Sequence, residues 1–300
     1  FYTTHTDAII ELGHCGDSLL READAATSWI IRASGSNSTE LREQVYHTRN
    51  VTNEHCRGLL DACYKSSDMQ VQRFRMKMLD TIESYTLLRR DIDFDAISAL
   101  RALTRYRDGL KVLDFQRGAF ADHKTMGPLA KTFLELKFYW MTIDSIGIVE
   151  ALGKAILATR GTPLYTVDLL LALEENALFY EYALSQLGQY ARPETKLFLS
   201  SLQNTTAMQE LRSTMQAMIQ FPLTANLTAD QLSQALQGVA DALYDNGLNE
   251  HGSKILSSIV VNRVIFIVVG VLAIAAGWLI VFAEGRPTPP HRKSVLSGKS

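Results

Sequence analysis

Val264-Ile265-Phe266-Ile267-Val268-Val269-Gly270-Val271-Leu272-Ala273-Ile274-Ala275-Ala276-Gly277-Trp278-Leu279-Ile280-Val281-Phe282 is an unbroken run of nineteen uncharged, mostly apolar residues. An α-helix rises about 1.5 Å per residue, so this run reaches roughly 28 Å, the thickness of a bilayer's hydrocarbon core. A buried helix of a water-soluble domain would carry some polar residues over that length. Trp278 lies near the far end, where an interfacial aromatic is comfortable. The run lies too far from the N-terminus to be a secretory signal. The expectation is a single transmembrane helix, with residues 253–283 as the juxtamembrane and membrane segment around a 264–282 core.

Working outward, Arg286, Arg292, Lys293 and Lys299 follow the run, opposed by Glu284, while Arg263 and Lys254 precede it. The positive-inside rule then makes residues 284–300 a cytoplasmic tail and residues 1–252 an extracellular domain at the plasma membrane. Four glycosylation sequons, at Asn37, Asn50, Asn204 and Asn226, all precede the run and agree with that orientation. The chain reads as a fragment, with a signal peptide or first membrane helix expected before Phe1 and an output domain after Ser300.

Composition narrows the function. The chain has 30 basic and 32 acidic residues. Without the tail's four basic residues and one acid, 26 basic and 31 acidic remain, a net charge near −5. That argues against nucleic acid as a partner and against broad capture of anions, while leaving room for a local cationic pocket. Eighteen Gly and seven Pro in 300 residues are sparse punctuation for an all-β fold.

The remainder reads as helix almost throughout. Leu12, Cys15, Leu19, Ala23, Ala26 and Ile30 recur at spacings of three and four, giving a helix over about Thr4–Ala33. Leu41, Val45, Thr48, Thr52, Cys56, Leu59 and Cys63 stripe a second, over Thr39–Lys65. Ser67 followed by Gln70 is a capping-box signature for a third, to Arg90. A fourth segment runs from Asp93 to Phe120. Gly127-Pro128 opens a fifth, to Ala158, and a sixth covers Leu164–Tyr190. Pro193 suits the first position of a seventh that ends before Phe221-Pro222. Thr228 and Gln231 cap an eighth, to Asp245. Long helices joined by short loops form antiparallel bundles, so the expected fold is an all-α antiparallel helical bundle ectodomain above one transmembrane helix.

The same geometry pairs two cysteines. The break between the first two helices centres near residue 36, so in an antiparallel hairpin Cys15 and Cys56 stand at the same height, on inward stripes, in a compartment where disulfides form. Cys63 is the odd thiol, about two turns further along its helix.

Three stretches resemble the nitrate- and nitrite-sensing domain, an all-helical extracytoplasmic sensor. Leu19-Leu20-Arg21-Glu22 lies where the family has a glutamate-arginine signature. Asp144-Ser145-Ile146-Gly147-Ile148-Val149-Glu150-Ala151 resembles its acidic-x-x-Gly-x-Glu-Arg-Ala segment. Leu227-Thr228-Ala229-Asp230-Gln231-Leu232 resembles its late helix start. The resemblance covers roughly Leu12 to Ser253. It implies a small-molecule ligand, an anion in the family, held near Arg21, Asp144, Gly147 and Glu150. It also implies a homodimer and a cytoplasmic output domain, in some animal receptors a guanylyl cyclase. The departures are chemical. Family arginines bind the anion through a rigid donor fork. Here Ala23 or Asp24 stands at one such place and Glu150 at another, and a carboxylate repels nitrate. Arg21 is the remaining candidate; the alternative is that it is solvated or pairs with a nearby acid.

Other chemistry is sparse. His5, His14, His47, His55, His123, His251 and His291 show no HxxxH or HExxH spacing, so no metal site and no cofactor is expected. No nucleophile elbow or nucleotide fingerprint appears, and this stretch is not expected to be an enzyme. The leading expectation is a ligand-sensing ectodomain that relays a helix shift through the membrane. The rival is a structural or adhesive helical ectodomain that binds a protein partner.

Overall fold

The computed structural model describes residues 2–31, 38–121, 130–162, 164–222, 224 and 226–246. All lie in one compact unit, Phe1–Ile255. The 264–282 run, the segments 253–283 and 284–300, and Asn37 lie outside the described residues. Among the described residues there is no strand, and the elements are α1 (Tyr2–Ile31), α2 (Ser38–Tyr64), α3 (Met69–Asp93), α4 (Ala99–Ala121), α5 (Ala130–Thr159), α6 (Val167–Tyr190), α7 (Pro193–Gln203), α8 (Thr206–Gln220) and α9 (Ala229–Tyr244). None of these helices is long and apolar enough to cross a membrane.

The helix ends follow local chemistry, and three differ from the sequence reading. Asp68, not Ser67, caps α3, its carboxylate accepting from the N–H groups of Gln70 and Val71. The fourth segment does not begin at Asp93. Asp95 adopts a left-handed backbone (φ 52°) and turns the chain before α4 starts at Ala99. The expected seventh helix is two. Thr205 accepts from Met208 N–H and donates to the Leu202 carbonyl, ending one helix and starting the next. The α9 capping box of Thr228 and Gln231 is present on both sides.

Strand-like counting along the helices gives their directions. Glu11 faces Gly58, Cys15 faces Cys56 and Ser18 faces Thr52, numbers rising in α1 as they fall in α2, so the pair is antiparallel. Tyr85 against Gly109 and Asp91 against Arg105 place α3 and α4 the same way. In contrast, Gly13 meets Trp140, Leu20 meets Gly147 and Asp24 meets Lys154, rising together, so α1 and α5 run parallel.

The packing makes two four-helix groups. In the first, α1 packs on α2, α2 on α3, α3 on α4 and α4 on α1. In the second, α5 packs on α6 and α9, with α8 closing against both. Helix α5 also packs on α1 and α4, and so joins the groups. Its sequence explains that place: Tyr139, Ile146, Ile148, Val149, Leu152, Ala155 and Ile156 are buried on nearly every side. Each large apolar side chain buried this fully stabilises by about 1.5–3 kcal/mol relative to exposure.

Candidate functional site

The seam between α1 and α5 carries most of the residues singled out from sequence. Gly147 is a packing residue: a Cβ there would stand 3.1 Å from Leu20 Cδ2. Gly13 does the same beneath Trp140, at 2.9 Å. Further along, Lys154 Nζ lies 3.1 Å from both carboxylate oxygens of Asp24 and 2.9 Å from Glu150 Oε1. Asp24 and Glu150 are thus both tied to one lysine of the chain itself, and the three groups sum to one negative charge. Burial pushes the Asp24 carboxyl above its usual range, and Lys154 offsets part of that. Burial pulls Lys154 down, but Asp24 and Glu150 outweigh it and raise its pKa. Arg21 points to solvent, its side chain 71 % exposed, and pairs with Asp17 at 3.0 Å one turn earlier. Ala23 is buried.

The neighbouring residue, Glu22, is the buried member of that signature, and sequence reasoning missed it. It is fully buried. Arg89 of α3 donates to it through Nε at 2.7 Å and Nη2 at 2.6 Å, and Tyr106 of α4 donates its hydroxyl at 2.8 Å. Burial, then the Glu22 charge, pushes the Tyr106 phenol well above its ordinary value, and the same causes raise Tyr85. Arg89 also donates to Asn53 at 2.7 Å. This network ties α1 to α2, α3 and α4. The signal was available: Glu22 falls between Leu19 and Ala26 on the apolar stripe, where an acid needs a partner.

Asp144 turns away from the α1 seam. It lines a cavity of about 290 Å³ between α4, α5 and α6. Asp144, Ser145 and Asn176 are buried there, and Arg107 lies 3.2 Å from Glu175 across the opening. The structure therefore separates the four candidate ligand residues. Gly147 packs, Arg21 is solvated, Glu150 pairs with a lysine it shares with Asp24, and of the four Asp144 alone faces this cavity.

Cys15 and Cys56 are joined, with Cα atoms 4.8 Å apart, and His14 stacks on His55 beside the bridge at 5.3 Å between ring centres. Cys63 is buried as a free thiol, its pKa pushed up to about 12 by burial. Among the described residues no group of three or more potential ligands could hold a metal ion. The sequons have a structural use as well. Asn204 precedes the α8 cap Thr205, Thr228 of the Asn226 sequon caps α9, and Ser38-Thr39 opens α2. Asn204 and Asn226 are exposed. Asn50 is exposed in mid-helix, but its Thr52 is buried and donates to the Ser18 carbonyl at 3.0 Å.

No protein-family model matches the chain. No curated protein matches it either. Among solved structures it is similar to the NasR transcription antiterminator, with a TM-score of 0.65, 15 % sequence identity, and coverage of 87 % of this chain and 72 % of that one. The match supports a helical fold like that of the nitrate- and nitrite-sensing domain. At this identity it speaks to fold alone.

Proposed function

We propose that residues 1–252 are the extracellular small-ligand-sensing domain of a single-pass receptor at the plasma membrane, anchored by the 264–282 helix. In this reading, residues 284–300 are cytoplasmic, the receptor is a homodimer, and ligand binding shifts helices against one another. The shift passes through the membrane to an output domain after Ser300, for which the resemblance suggests a guanylyl cyclase. The observation that supports the sensor reading is a cavity of about 290 Å³ set between α4, α5 and α6, largely apolar in its lining and carrying a few polar groups such as the buried Asp144.

In this reading the domain binds nitrate weakly or not at all. In the family register Ala23 or Asp24 stands at one place of an anion-binding arginine and Glu150 at another, and Lys154 is already engaged by Asp24 and Glu150. Calorimetry of the full chain in detergent with sodium nitrate is expected to show weak binding or none. Micromolar binding abolished by Arg21→Ala would overturn this. Orientation is tested separately. Glycosidase treatment after expression in animal cells is expected to lower the apparent mass, and labelling of Lys293 from outside intact cells would reverse the topology.

A partner-binding module is the second reading, favoured by one observation. Val167, Leu171, Leu178 and Tyr182 form an apolar stripe on the outer face of α6, each more than half exposed. Loss of dimerisation or partner capture on Leu171→Lys, with ligand binding intact, is the outcome that would assign the stripe to that role.

A further inference from the structure

We infer that the outer face of α3 pairs antiparallel with the same face of a second copy of this chain. The helix has two opposite faces, and the chain covers one. Val71, Phe74, Met78, Tyr85, Leu88 and Ile92 are buried, where α3 packs on α2 and α4. On the other side Met69, Met76, Leu87 and, at the C-cap, Phe94 are exposed, from 48 % at Leu87 to 77 % at Phe94. Arg73, Asp80, Glu83 and Arg90 are exposed between them. From Met69 to Phe94 these residues follow one another in alternating steps of four and three. That period, about 3.5 residues, is the seam of a coiled coil, and a face turned only to water has no need of it.

The charges of that face are unspent. Among the described residues, none of Arg73, Asp80, Glu83 and Arg90 makes a side-chain hydrogen bond or an ion pair. Charges beside them on the same helix are engaged: Arg89 with Glu22, Asp91 with Arg105 and Asp93 with Arg49. The order along the seam is basic, acidic, acidic, basic, and it selects the geometry. A parallel pair of α3 helices would set each of the four against its own copy, like against like. An antiparallel pair in full register would set Arg73 on Arg90 and Asp80 on Glu83, again like on like. Centred instead at the level of Tyr85, the antiparallel pair sets Asp80 of each copy on Arg90 of the other. Met76 then meets Phe94, a sulfur against a ring, and Glu83 lies beside Leu87. The two-fold axis makes every contact twice. The overlap from Met76 to Phe94 is about 27 Å long. The opposite offset, centred at Met78, would pair Arg73 with Glu83, but it sets Met76 on Asp80 and leaves Phe94, the most exposed apolar residue of the face, in water.

This contact gives the homodimer of the proposed reading its surface, and it rests on that part of the reading alone. The test is analytical ultracentrifugation of the full 300-residue chain in detergent over a concentration series, read as the dimer Kd. The native chain is expected to dimerise. Asp80→Arg and Arg90→Asp are each expected to raise the Kd about tenfold or more, because each sets like charges face to face at both copies of the contact. The chain carrying both changes should return close to the native Kd. An equimolar mixture of the two single variants should form a heterodimer, since every facing pair then has opposite signs. Both sites are exposed, so neither change disturbs the core. Leu171→Lys, on the outer face of α6, should leave the Kd unchanged. A native dimer indifferent to both single variants, a double variant no tighter than the singles, or loss of the dimer on Leu171→Lys would overturn the inference and leave the receptor reading with a different interface. A chain that stays monomeric at every concentration would remove the inference and the homodimer together.

Discussion

Arg89→Met strips the cation from a carboxylate that has no exposed surface. In the native chain Glu22 takes two charge-assisted bonds from Arg89 and one from Tyr106. The intact pair adds little net stability over an apolar pair, because both ions lose water. Breaking it is another matter: a buried charge left without its partner costs about 3–5 kcal/mol. The surviving Tyr106 bond favours the lower end, about 3 kcal/mol. For a domain of this size each kcal/mol moves Tm by roughly 2–4 °C, so the drop should be about 6–12 °C. The double variant Glu22→Met with Arg89→Met removes both ions and should regain most of that loss. Thermal melts followed by far-UV circular dichroism measure all three proteins. A drop below about 2 °C for Arg89→Met, or a double variant no better than the single, would show that Glu22 finds other compensation and refute the reasoning.

Three further outcomes are expected. Replacing Cys15 and Cys56 by Ser frees a loop with a sequence separation of 41 residues and should cost about 4 kcal/mol on the chain-entropy model, seen as a lower denaturant midpoint; an unchanged midpoint refutes it. Lys154→Met leaves Asp24 and Glu150 facing each other and should cost about 1–3 kcal/mol at neutral pH. Because the folded pKa of Lys154 is raised from 10.5, its contribution is fully present below that value and lost as pH rises through the raised one. The gap in Tm between the two proteins should therefore stay level from neutral pH to about 10 and narrow above it, and a gap that widens there contradicts the pairing. Gly109→Ala drives a Cβ into the buried Tyr85 hydroxyl and should destabilise by about 1–3 kcal/mol despite alanine's better helix propensity, with Tyr85→Phe recovering part of the loss in a double-variant melt.

Particular residues mark how far the sequence could be read. Of the α1 stripe, Leu12, Cys15, Leu19, Ala23 and Ala26 are buried and Ile30 at its end is half-buried, because a period near 3.6 places such residues on one face whatever they pack against. The hairpin register that set Cys15 opposite Cys56 is equally local, since it depends on rise per residue and the position of one break. The α7–α8 division was missed because an Asn-Thr pair interrupts helix without Gly or Pro, and its effect depends on Thr205 turning back on the chain.

Sequence by itself determined the all-helical class, most helix limits, the capping box at Thr228, and which faces lie inward. These are short-range consequences of period, capping and turn chemistry. It also raised the membrane reading of residues 264–282, which stands on hydropathy. The tertiary structure decided the site. Arg21, Asp144, Gly147 and Glu150 are close in motif but point in different directions around α1 and α5, and only packing reveals that Gly147 meets Leu20, Glu150 meets Lys154, and Asp144 faces α4 and α6. The partners of Glu22 lie 67 and 84 residues away along the chain. A charge's consequence depends on what surrounds it in space, and no local pattern carries that information over such distances.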